Sequence, residues 1–301
     1  MILNHFLKHL CKNIRISANS YYNMLLYVFC SIFHNFAKLK LKFETQRMDY
    51  NIFENFERTR LLAGDSMMEA LADTRVLIFG VGGVGSWCAE SLARTGIGSI
   101  TVVDPDTVAQ SNINRQLPAT TATVGLPKVE VLAARLASIN PEASIEGVAG
   151  RYTPENAAGF GIESYDYVID AIDSLADKAD LILRCTDPAT APRRAFFSSM
   201  GAARKLDPSM ISTAEFWKVE GCPLARALRT RFRRSGIFPR RKFRCVYSPE
   251  SLPHRAEGPS GVNGTFAHTT AIFGLTLASL VIRAIYADYP TEGIAPTGKA
   301  Q

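Results

Sequence analysis

Gly80-Val-Gly82-Gly83-Val-Gly85 repeats glycine at the spacing that lets a backbone close on a phosphate and present it to a helix N-terminus. Asp104 follows at the separation from which a carboxylate accepts the ribose hydroxyls of a bound nucleotide. Up to that point NAD or FAD fits as well as any other nucleotide. The residues that come next are different: Asp106, Asn112, Arg115, Gln116, then Lys128, and later Asp173. Enzymes that pass a hydride cradle a pyrophosphate mainly with backbone amides. A triphosphate that is to be cleaved needs fixed cations and a carboxylate for its metal. Arg115, Lys128 and Asp173 make up that set.

These residues need a rigid frame, and the apolar pattern supplies one. Residues 75–80 and 99–104 are continuous apolar runs, as strands buried on both faces require, and residues 86–95 between them carry helical spacing. A helix over 58–72 precedes them. The alternation continues with a helix over 128–140, strands at 144–148 and 165–170, a helix over 177–185 and a strand at 194–199. This pattern predicts an α/β fold, a Rossmann-like doubly wound and mostly parallel sheet. After residue 207 the alternation stops. A basic run over 224–244, a glycine- and proline-rich loop over 257–264 and an apolar helix over 265–286 follow. The expected organisation is an N-terminal extension at 1–50, an ATP-binding domain at 51–207, and a basic, then helical, substrate region at 208–301. The last helix, broken by His268 and Arg283, is short of a membrane span and is expected to be a core or interface helix rather than inserted in a bilayer.

The chain has 301 residues, 47% of them hydrophobic, enough for one main core, and a formal net charge of +6 that suits a polyanionic partner. Its six cysteines form no C-x-x-C pair, which argues against a zinc ribbon or a disulfide framework and for a reducing, cytoplasmic compartment. Residues 1–50 differ in composition from the rest. Their apolar run at 24–33 is too short for a span, and Lys8, Lys12 and Arg15 ahead of it leave a targeting reading open beside that of a dispensable extension with Met48 as an alternative start.

In Asp104-Pro-Asp106-Thr-Val-Ala-Gln-Ser-Asn112-Ile-Asn-Arg115-Gln116, with the glycine loop, Lys128 and Asp173 in this order, the chain resembles the ThiF/MoeB/HesA adenylating superfamily. The resemblance implies ATP and Mg2+ as cofactors. It puts Asp104 on the ribose, Asn112, Arg115 and Lys128 on the phosphates, Gln116 in ordering the loop and Asp173 on magnesium. Arg58 would reach the nucleotide of a neighbouring subunit, which implies a homodimer, with Arg60 its rival. Ala93-Arg-Thr-Gly-Ile-Gly98, Val168-Ile-Asp-Ala-Ile-Asp-Ser174, Ser199-Met-Gly-Ala202, Lys205-Leu-Asp-Pro208, Cys222-Pro-Leu-Ala-Arg226 and Val246-Tyr-Ser248 narrow the likeness. They resemble the tRNA threonylcarbamoyladenosine dehydratase branch, whose reaction closes a ring on a modified adenosine beside the tRNA anticodon through an acyl-adenylate. The missing C-x-x-C pairs count against a member that activates the C-terminal glycine of a ubiquitin-like sulfur carrier, which is the alternative.

An RNA substrate suits the basic run, where Arg229, Arg233, Arg234 and Arg241 are the candidate phosphate contacts and Phe232, Phe238 and Phe243 interleave them as stacking groups. A solvated helix with its phenylalanines in the core fits the same spacing. Charge reversal of Arg229, Arg233 and Arg234 together is expected to weaken tRNA binding with the fold intact. Cys222 and Cys245 lie near basic residues, as a sulfur relay would need, but ring closure requires no thiol, and buried, inert cysteine is the preferred reading. A cysteine desulfurase or other sulfur-transfer partner stays open, with no residue that declares it.

Overall fold

The computed structural model describes residues 52–254, 256 and 263–289. The N-terminal extension, with Cys11, Cys30 and the 24–33 run, lies outside the described residues, as does the loop at 257–262. The chain divides into two units, Met1–Ile52 and Phe53–Gln301, and the second holds the sheet and its helices. No boundary between units falls at residue 207.

In chain order the elements are α1 (Glu57–Ala63), α2 (Asp65–Asp73), β1 (Arg75–Phe79), α3 (Gly85–Thr95), β2 (Ser99–Asp104), α4 (Lys128–Ile139) and β3 (Ser144–Ala149). They continue as β4 (Tyr167–Asp170), α5 (Leu175–Thr186), β5 (Ala195–Ser199), β6 (Ser212–Glu215), α6 (Pro223–Ser235), β7 (Arg244–Tyr247) and α7 (Ala267–Asp288). One seven-stranded sheet runs in the order β3-β2-β1-β4-β5-β7-β6, parallel except where β6 meets β7. The helix expected over 58–72 is two helices, because Gly64 sits at φ 80°, a left-handed angle that ends one helix before the next begins.

Alternate strand residues feed opposite faces, as the period of two demands. Val76 and Ile78 pack with Leu92, Leu136, Phe273 and Leu277 from α3, α4 and α7, while Leu77 and Phe79 pack with Leu181, Ile182, Leu228 and Phe232 on the side of α5 and α6. The sheet is therefore covered on both faces, which is the doubly wound arrangement. Two strands went unseen in the pattern. β6 is Ser-Thr-Ala-Glu, polar and at the sheet edge, and β7 is Arg-Cys-Val-Tyr, hidden at the end of the basic run. The region after 207 thus completes the sheet: β7 pairs with β5 in parallel and lies between it and β6.

The apolar α7 has 22 residues and an 18-residue stretch of mean hydropathy 1.7, long and apolar enough by composition to cross a bilayer. Its Phe273, Leu277 and Val281 are instead buried in the core. Gly274 makes that packing close: a Cβ there would lie 2.3 Å from the Val84 carbonyl oxygen and 2.9 Å from the Cys88 amide nitrogen of α3. Gly274→Ala should push α7 away from the glycine loop. We expect both a lower melting temperature and weaker ATP binding, measured by thermal denaturation with and without nucleotide; a lower Tm with unchanged ATP affinity would confine Gly274 to packing.

Candidate active site

In a parallel sheet the ligand crevice opens at the C-terminal strand ends where the winding reverses. Here that point lies between β1 and β4, because the chain runs from β1 outward to β2 and β3 and then returns to β4. The glycine loop follows β1. Gly80 has φ 85° and a Cβ there would stand 2.7 Å from the Ala171 carbonyl oxygen; at Gly85 it would stand 1.8 Å from the Gly80 carbonyl oxygen. No larger residue fits either place, so the loop folds tightly into the N-terminus of α3 and leaves that end's amide groups for an anion. Ser86 Oγ donates to the Gly82 carbonyl at 2.6 Å and accepts from the Leu117 amide at 3.3 Å, tying the loop to the crossover after β2.

The crossover brings most of the expected residues alongside. Asp104 is buried at the end of β2, where its Oδ2 accepts from the Val81 amide at 2.8 Å and its Oδ1 from the Asp106 amide at 3.0 Å. Lys128, also buried, sits at the start of α4 with its Nζ 2.8 Å from Asp106 Oδ2 and 3.9 Å from Asp104 Oδ1. One ammonium is thus fixed between two carboxylates beside the glycine loop. Arg115 lays its side-chain stem against Gly83, 3.3 Å from where a Cβ would stand, and donates from one guanidinium nitrogen to the Ser111 carbonyl and the Asn114 side chain. Asn112 accepts from the Ala109 amide at 3.0 Å and so closes the turn that carries Arg115. Gln116 is buried against Gly82, and its Oε1 has no hydrogen-bond partner among the described residues.

Asp173 is exposed just after β4 and has no hydrogen bond or ion pair among the described residues. The segment leading to it is clamped from below. Asp170 and Lys178 form an ion pair at 2.8 Å with no exposed side-chain surface, Ser198 Oγ donates to Asp170 Oδ2 at 2.7 Å, and Ile172 donates its amide to Asp170 Oδ1 while its carbonyl accepts from Lys178 Nζ. Neither Lys178 nor Ser198 was singled out in the sequence. A lysine three residues into an amphipathic helix reads as solvated, and only its complete burial shows otherwise.

Arg58 does not join this group. Its helix α1 follows Phe56, whose ring lies 3.8 Å from the Cβ position of Gly96 at the far end of α3, about 16 Å of helix from the glycine loop. Arg60 is ion-paired to Asp65, whereas Arg58 is exposed and has no side-chain partner among the described residues.

The basic residues of α6 also divide. Arg233, Arg234 and Arg241 are exposed. Arg229 is half-buried, and one nitrogen of its guanidinium donates to the Phe216 carbonyl at 3.1 Å and the Val219 carbonyl at 2.8 Å. Charge reversal at Arg229 would set a carboxylate against two carbonyls, so the expectation of an intact fold carries over to Arg233 and Arg234 and not to it. Phe232 and Phe243 are core residues, leaving Phe238 as the exposed one of the three; Trp217, unremarked in the sequence, is exposed beside it. Cys88, Cys185, Cys222 and Cys245 are buried and free, and burial pushes the Cys88, Cys185 and Cys245 thiols well above the usual range. Such thiols stay protonated and are poor nucleophiles.

Comparison with known proteins agrees with this geometry. The ThiF family matches residues 56–298. The tRNA threonylcarbamoyladenosine dehydratase of Escherichia coli is 36% identical over 262 residues, 80% of this chain and 96% of that one. The Bacillus subtilis protein of the same name is 40% identical over 66% of this chain and 76% of its own. The crystal structure of the Escherichia coli enzyme in complex with ATP superposes with a TM-score of 0.71 at 37% identity, covering 78% of this chain and 95% of that one. The chain belongs to the ThiF family, in its tRNA threonylcarbamoyladenosine dehydratase branch.

Proposed function

We propose that this chain binds ATP and cyclises threonylcarbamoyladenosine in tRNA by activating its carboxylate as an acyl-adenylate. The observation that carries the reading is the convergence, at one strand-end crevice, of the glycine loop, the fixed Lys128 ammonium and the unpaired Asp173 carboxylate. The threonyl carboxylate oxygen forms a bond to the α-phosphorus of ATP, and the bond from that phosphorus to the bridging oxygen breaks, releasing pyrophosphate. A nitrogen of the same carbamoyl group then attacks the activated carbonyl carbon and expels AMP, with a net loss of one water from the nucleoside. The nucleophile is tethered, so its effective concentration is high and no enzyme nucleophile is needed.

The chain's own residues position and neutralise. The glycine loop amides at α3 and the Lys128 and Arg115 cations meet the negative charge that moves onto the phosphates. Asp104 holds the loop through the Val81 amide and has lone pairs left for the ribose. Asn112 holds the turn that carries Arg115, and Gln116 packs its side-chain amide against Gly82, with Nε2 the nearer atom and Oε1 without a partner among the described residues. Asp173 fits a magnesium ion: it is exposed and unpaired, and this ion commonly takes one or two carboxylates together with substrate phosphates. When bound there, magnesium would neutralise the departing pyrophosphate. Burial holds the Cys88, Cys185 and Cys245 thiols protonated, and the reaction needs no thiolate. Free buried thiols suit a cytoplasmic location.

Support for a homodimer comes from α1, where Leu61 and Leu62 are 74% and 77% exposed and Arg58 has no side-chain partner among the described residues. Arg58 would then complete the partner's site. Mixing inactive Arg58→Ala and Lys128→Ala proteins and letting the subunits exchange should restore roughly one quarter of wild-type activity, since half of the twofold dimers carry one intact site. No recovery, in a mixture shown to have exchanged, would place Arg58 outside the reaction.

The activity itself is tested by mass spectrometry of nucleosides after incubating the protein with threonylcarbamoyl-modified tRNA, ATP and magnesium. Loss of one water that requires ATP and Lys128 is the expected result; no change in the nucleoside would overturn the reading.

A further inference from the structure

At the edge of the sheet opposite the crevice, the N-terminal ends of β5 and β7 and the C-terminal end of β6 frame a cavity of about 690 Å3. Lys218, Arg241, Lys242 and Arg244 line it, all four exposed and none with a side-chain hydrogen bond or ion pair among the described residues. Arg194 in the same lining is already paired with Asp288. Glu215, the one carboxylate among the lining residues, accepts from the Trp217 amide at 3.0 Å.

Trp217 belongs to the short turn that also supplies Lys218, and it carries a second feature. It is 39% exposed, its ring lies 6.1 Å from that of Phe238, which is 47% exposed, and the Arg233 guanidinium sits 6.0 Å over it. The turn is built to hold this arrangement, since Arg229 binds the carbonyls of Phe216 and Val219 on either side of Trp217 and Lys218. Four unpaired cations around a cavity sized for a small ligand, with an exposed aromatic face on the adjoining turn, match what single-stranded nucleic acid needs: charge for the backbone and a stacking surface for a base. An acidic peptide would use the cations but leave the aromatic face idle.

We propose that this cavity is a second tRNA site, which takes the phosphates of an unpaired nucleotide on Lys218, Arg241, Lys242 and Arg244 and stacks its base on Trp217 and Phe238. The inference rests on the tRNA reading above and extends it to the other edge of the sheet. The two sites are separated by the length of β5, about 17 Å for its five residues, and β6 is the outer strand around which an RNA can pass.

The test uses the full chain with Lys218→Ala/Lys242→Ala and, separately, Trp217→Leu. Each should raise KM for modified tRNA, Trp217→Leu by at least fivefold, while ATP affinity stays within twofold and reports an intact crevice. Removing two lysines should also reduce the slope of log affinity against log salt by about 1.4. Quenching of tryptophan fluorescence by an adenosine oligonucleotide should be lost in Trp217→Leu. Unchanged KM, salt slope and quenching, with wild-type protein cyclising tRNA normally, would overturn the second site alone. Quenching by polyglutamate equal to that by the oligonucleotide would assign the cavity to acidic peptides and also overturn it. Failure of wild-type protein to act on modified tRNA would remove the reading on which the site rests.

Discussion

Lys128→Ala is expected to lower AMP release by about 10²–10³-fold at saturating ATP and tRNA, the scale for deleting one preorganised group that meets charge in a transition state. The expectation comes from how the ammonium is held. Its Nζ is 2.8 Å from Asp106 and 3.9 Å from Asp104, its side chain is buried, and the Asp104 carboxylate is itself bound to the Val81 amide of the glycine loop. The lysine therefore needs little reorganisation to meet a phosphate. Lys128→Arg should recover little, because a planar fork cannot occupy a point site between two carboxylates. Quench-flow measurement of AMP, with ATP affinity measured separately, divides the effect. A loss of affinity that accounts for the whole deficit would make Lys128 a ground-state anchor and not a group that acts on the reaction.

The strand-end geometry was legible because it depends on short-range rules. Glycines at 80 and 85 are required because a Cβ there would stand 2.7 and 1.8 Å from backbone carbonyl oxygens, which admits no other residue. The apolar runs of β1, β2 and β4 are buried on both faces and so announce themselves without alternation. β6 and β7 were not legible: four residues each, one polar and one opening on arginine, they are strands because β5 offers an edge to pair with. The same limit hid the difference between Arg229 and Arg233. Helical spacing puts both toward one face, but only the fold shows that carbonyls of the 216–219 turn lie within reach of the first. Trp217 was missed for the opposite reason, since a lone tryptophan reads as core and its 39% exposure has no sequence signature.

Lys178→Met is expected to destabilise the folded protein by about 3–5 kcal/mol, because Asp170 would lose its buried partner in a site with no exposed side-chain surface. Replacing both partners should behave differently. Asp170→Leu with Lys178→Met removes the uncompensated charge, and at similar volume such exchanges are often neutral for stability. Adding Ser198→Ala removes the hydroxyl that would otherwise be left buried without its acceptor, a correction of about 1 kcal/mol. Denaturation midpoints should therefore fall for the single variant and return for the triple one. Activity should not return with them. Asp170 and Lys178 grip Ile172 by its amide and its carbonyl, one residue before Asp173, and Ala171 packs against Gly80. An apolar replacement fills the space but cannot grip the peptide, so the segment that carries Asp173 would lose its anchor beside the glycine loop. The magnesium concentration for half-maximal activity should rise in the triple variant even though its stability is restored. If stability and magnesium dependence recover together, the ion pair serves packing alone; if stability recovers and the magnesium requirement does not, the buried charges are retained for the loop they hold.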